Sequence, residues 1–211
     1  MMWAPSSELL RALLQEPDRS GRYSYLLDHR PEVLRQLDEG LSNVTHGDLD
    51  DLTGLARVPV QCARQGAWEG ALSLAGNVLN SAMEHHRIEW YRQEFRAQIR
   101  DLRGHTGPGA TLRRVDTAIP LPERSVGIFD LRAHLVLRSI KNVFADTRNG
   151  VTTQDTFNRH LAAHHASYDS YREEFTLPAL LAMHTLLRVL NEAKEEADQD
   201  DEEQRAGDRQ R

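Results

Sequence analysis

Residues 157 to 165, FNRHLAAHH, place one arginine and three histidines within nine positions. Such side chains suit three kinds of chemistry. A guanidinium holds a phosphate through paired hydrogen bonds and offsets charge that builds up on it. An imidazole gains and loses a proton near neutral pH. Two histidines four apart on a helix share a face and can share a metal ion. His160 and His164 have that spacing, with Arg159 one step round the axis. Arg159 and His164 are five apart, about 140° around an ideal helix, so they border a groove rather than stack.

The alternatives differ in what else they need. A zincin-type centre requires a glutamate after the first histidine; Leu161 stands there. Further ligands would have to come from His165, His134, His184 or an acid. A cysteine nucleophile would be Cys62, which lies in an ordinary helical setting, and no glycine loop of the phosphate-cradling type is present. Metal-free cleavage of RNA needs only a phosphate-binding cation and an imidazole, and Arg159 and His164 supply both. Against all of these stands a plain solvated face, with Ala162 and Ala163 against a neighbour.

The surrounding segments almost all have helical period, which predicts an all-α helical bundle. Leu9, Leu10, Leu13 and Leu14 form one stripe behind a serine cap, and Val33, Leu34, Leu37 and Leu41 form another after Pro31. Pro59 is expected to kink or split the next helix. Gly66 should break the chain, and small residues from Ala67 to Gly76 would admit a close neighbour. Residues 1–103 thus read as an N-terminal helical region, and 104–124 as a Gly/Pro-rich connection. Residues 125–194 hold an apolar helix carrying Ile128, Leu131, Leu135, Val136 and Ile140, expected at the centre of the core. A short helix over 154–165 follows, started by Thr152 and Asp155. The last helix has a Leu180, Met183, Leu187, Leu190 stripe, with Pro178 offsetting its first turn.

The formal net charge of −6 is uneven. Residues 195–211 contain eight acids and three arginines, a net of −5, which leaves about −1 for the rest. This tail has no apolar residue larger than alanine and is expected to be disordered. A nearly neutral body lacks the basic face typical of nucleic-acid binders but leaves room for a local phosphate site. One cysteine excludes an intrachain disulfide and a cysteine-based zinc site, as a reducing, cytoplasmic setting would suit. No apolar run has membrane-spanning length, and the first residues do not read as a signal peptide.

Arg159 to His164, RHLAAH, resembles the Arg-x(4–6)-His motif of the HEPN superfamily, with a polar residue, here His160, directly after the arginine. The likeness covers roughly residues 125 to 192. A histidine, His165, stands where the related bacterial proteins usually have glycine. The resemblance implies a helical bundle that dimerises and so joins two Arg/His sets in one cleft. It also implies metal-independent cleavage of single-stranded RNA without a cofactor, in toxin–antitoxin, abortive-infection or antiviral systems. An antitoxin or partner protein would then be expected. Other members are non-catalytic interaction modules. By this resemblance Arg159 binds phosphate, His164 is general acid or base, and His160 orients the site. Asn158 bonds to the motif or caps its turn. His165, Tyr168 and Tyr171 are candidate RNA contacts, although tyrosine more often packs its ring. His134 and Arg138, four apart on the preceding helix, are candidates for the same cleft.

Overall fold

The computed structural model describes residues 5–86, 128–144, 156–164 and 168–208. They form an all-α bundle, with no strand among the described residues. The helices are α1 (Ser7–Gln15), α2 (Arg19–Asp28), α3 (Arg30–Leu41), α4 (Asp50–Arg64), α5 (Trp68–His85), α6 (Ile128–Ile140), α7 (Arg159–His164) and α8 (Thr176–Asp208). Short 3-10 turns occupy Gly47–Leu49, Lys141–Phe144, Tyr168–Ser170 and Glu173–Phe175.

Local signals set several of the helix ends. The Ser6 hydroxyl accepts the Leu9 N–H at 3.4 Å, and the Asp18 carboxylate accepts that of Gly21 at 2.8 Å. Gly66 adopts the left-handed conformation at φ 76°. Its N–H reaches the Ala63 carbonyl, and that of Ala67 reaches Cys62, a Schellman closure of α4. Pro59 does not split α4, which runs unbroken from Asp50 to Arg64. One intrahelical bond is missing, to the Leu55 carbonyl, at a residue open to water, while the proline ring is buried.

The central helix is α8, not α6. Nearly every residue from Thr176 to Asn191 is buried, because α2, α3, α4, α5 and α6 all pack on this half of α8. Pro178 lies in its first turn, where the missing donor is harmless. Helix α6 buries Val136, Leu137 and Ile140 but leaves Leu135 exposed. One hydrophobic core joins the N-terminal stripes to α6 and α8. The side chains of Ile128 and Leu131, the connection at 104–124 and the Thr152–Asp155 start signal lie outside the described residues.

The acidic tail is not disordered as expected: α8 continues through it to Asp208. Residues 195–208 are exposed, so they add nothing to the core. Glutamate, glutamine and alanine are good helix formers, and a helix already nucleated by packing extends cheaply through them. Its root is tied to the loop after α3. The buried Asn191 accepts the Thr45 and His46 N–H groups at 2.8 and 2.9 Å and donates to Glu195 at 2.8 Å. Thr45 also donates to Glu195, and His46 contacts Asp198 at 3.1 Å. Asn191→Ala strips two backbone donors of their acceptor and should cost about 2 kcal/mol. A lower urea midpoint at unchanged slope would register this.

Among the described residues, no helix is long and apolar enough to cross a membrane.

Candidate functional site

Six residues are too few for an independently stable helix, so α7 depends on its surroundings. Asn158 is buried; its side-chain oxygen accepts the Leu161 N–H at 3.2 Å, and its carbonyl accepts that of Ala162 at 3.1 Å. Helix α7 therefore starts at Arg159, later than the 154–165 reading, with Asn158 as its cap. On its far side the Tyr171 hydroxyl donates to the Ala162 carbonyl, and the Ser73 hydroxyl of α5 approaches Tyr171 at 3.4 Å. Phe157 and Ala162 are buried and anchor the segment in the core.

Gly76 lets α7 rest directly on α5. A Cβ at Gly76 would stand 3.3 Å from the Phe157 ring and 3.6 Å from the Arg159 Cβ. The small-residue run thus has the expected use, and its neighbour is the motif helix itself. Gly70, in the same run, faces the Cys62 sulfur of α4 at 3.5 Å from its would-be Cβ.

Arg159 leaves this contact half-buried. Its guanidinium carbon lies 5.8 Å from the centre of the Phe144 ring, within cation–π range. Its Nε is buried without a hydrogen-bond partner. Burial lowers its pKa from the ordinary arginine value, and Glu84 of α5 opposes that shift. Arg159 lines a polar cavity of about 350 Å³ together with Ser73, Gly76, Asn77, Ala162 and Tyr171. One cation, two hydroxyls and a carboxamide face this space, and no carboxylate is among its described lining residues.

Ser73 and Asn77 escaped the sequence reading. The signal was the series Ser73, Asn77, Asn80, Glu84, polar residues three or four apart on a helix otherwise rich in small and apolar side chains. Of the expected site residues, Arg159 and Tyr171 meet at the cavity, and Asn158 underpins it as a buried cap. Tyr171 is partly buried against the core, whereas Tyr168 is 91% exposed and does not pack its ring as expected. Arg138 is exposed on α6. The side chains of His134, His160 and His164, and the whole of His165, lie outside the described residues.

Among the described residues no three His, Cys, Asp or Glu side chains gather as a metal site. His184 is enclosed in the core against Gly40 of α3.

No family model matches the chain, and no curated protein and no solved structure matches it, so the functional reading rests on the geometry around Arg159.

Proposed function

We propose that the protein is a metal-independent endoribonuclease of the HEPN type, acting on single-stranded RNA as a homodimer. The observation that carries this reading is the placement of Arg159 on a polar cavity lined by neutral hydrogen-bonding groups. Such a cavity suits a phosphodiester: the guanidinium takes the anionic oxygens, and the hydroxyls and carboxamide take sugar or base edges. In the reaction, the His164 imidazole accepts the 2′-hydroxyl proton as that oxygen attacks phosphorus. The bond to the 5′-oxygen breaks, and an imidazolium from the second copy protonates the departing oxygen. The products are a 2′,3′-cyclic phosphate and a 5′-hydroxyl. Arg159 neutralises charge on the pentacoordinate phosphorus, and His160 orients the site. Such an enzyme would serve in the cytoplasm as a toxin or antiviral effector, restrained by an antitoxin or partner.

Purified protein should cleave single-stranded RNA in the presence of a chelator, and Arg159→Ala and His164→Ala should each abolish cleavage while the far-UV CD spectrum is kept. Cleavage lost on chelation would replace this mechanism with a metal-dependent one. A second reading, a non-catalytic scaffold of the same fold, draws on the structural uses of Asn158 and Tyr171. It is favoured if folded wild-type protein leaves RNA intact.

A further inference from the structure

A second, larger cavity of about 590 Å³ opens between α1, α2, α6 and α8. Its volume lies within the range of small-molecule sites, about 300–1,000 Å³. The walls are mostly aliphatic. Leu14 of α1 and Leu135 of α6 both line it and are 69% and 52% exposed, and Leu181 of α8 is also part of the lining. The charged groups among the described lining residues are two arginines, Arg22 and Arg132. Arg22 is exposed and makes no ion pair among the described residues. Arg132 meets Glu192 only at 3.4 Å, and its Nε is buried without a hydrogen-bond partner. Aliphatic walls with few converging hydrogen-bond groups suit a hydrocarbon, and guanidinium groups suit a carboxylate.

We propose that this cavity binds a medium- to long-chain fatty carboxylate, with its hydrocarbon between Leu14 and Leu135 and its headgroup at Arg22 and Arg132. The site is independent of the cleavage chemistry at Arg159. Isothermal titration of the full chain with sodium dodecanoate should show one site, at least tenfold tighter than dodecanol, a neutral chain of the same length. Arg22→Gln with Arg132→Gln should erase that preference while dodecanol still binds. Leu135→Asp should abolish uptake of both with the CD spectrum unchanged, and Leu14→Asp, on the opposite wall, serves where Leu135→Asp does not fold. The proposal is overturned if dodecanoate does not bind, if it binds no better than dodecanol, or if both aspartate variants bind it as the wild type does. Binding to phosphatidylglycerol vesicles without uptake of free dodecanoate would also overturn it, in favour of a membrane-facing surface. A wild-type dimer that takes up no dodecanoate and is lost on Leu135→Asp would overturn it in favour of a second copy.

Discussion

Gly40→Ala is expected to destabilise the protein by about 3 kcal/mol, although the same change in a helix ordinarily stabilises by about 1 kcal/mol. The reversal comes from one contact. A Cβ on Gly40 would stand 2.2 Å from Nε2 of His184, 2.9 Å from its Cε1 and 3.2 Å from its Cδ2. The whole edge of the ring blocks the methyl group. His184 is fully buried on the most enclosed part of α8, so it has no open space to swing into. Either α3 must move off α8 or the imidazole must leave its rotamer. Chemical denaturation of Gly40→Ala, His184→Ala and the double variant separates this contact from general damage. The double variant should be more stable than the sum of the two losses implies, by about 1 kcal/mol or more. Strict additivity would mean that the ring and the glycine are not in conflict.

His184 also makes stability fall with acid. Neither ring nitrogen has a hydrogen-bond partner. Burial, with Arg188 one turn further along α8, holds its pKa down at about 4 against an ordinary value of 6.5. The Gly40 backbone lies close enough to oppose part of that shift, but the contact lacks hydrogen-bond geometry. Below 6.5 the unfolded chain takes up a proton that the folded chain refuses. The stabilising contribution is therefore complete above about pH 6.5 and is lost as pH falls toward 4. A pKa of about 4 in place of 6.5 corresponds to about 3 kcal/mol in full, of which about 2 kcal/mol should go between pH 7 and pH 5. Urea unfolding at these two pH values, repeated on His184→Leu, isolates the effect: the variant should lose most of the difference. Glu32, held down to about 2 by Arg35 and Gln36, acts lower, its contribution vanishing as pH falls from 4.5 toward 2. A slope between pH 5 and 7 that persists in His184→Leu would move the cause elsewhere.

The stripes that define the bundle were legible because helical period survives in any one sequence. Val33, Leu37, Leu180, Met183 and Leu187 are buried as their spacing predicts. Gly66 was legible because only a left-handed turn uses it so well. The depth of each helix was not legible. Helix α6 and the first half of α8 are both strongly apolar, yet α8 takes the centre, since burial depends on how many neighbours surround a helix. For the same reason Leu14 and Leu135 sit on apolar stripes but face a gap. His184 read as a spare metal ligand, because nothing local reveals that Gly40, 144 positions earlier, presses on its ring. The tail read as disordered because it cannot build a core, a different requirement from continuing a helix already begun. At the site, Arg159 stood out by residue type, while Ser73 and Asn77 belong to a helix more than 80 positions away and became visible only through packing.

The clasp of Asn191 on Thr45 and His46 joins parts of the chain 145 to 146 positions apart. Helices α2 to α5 are synthesised first, yet their apolar stripes converge on the space that Leu177 to Leu190 later fill. On a ribosome the early helices would wait with sticky flanks until α8 emerges. Folding of the bundle therefore closes only when α8 arrives rather than proceeding in step with translation, and the nascent chain is most exposed to aggregation just before α8 appears.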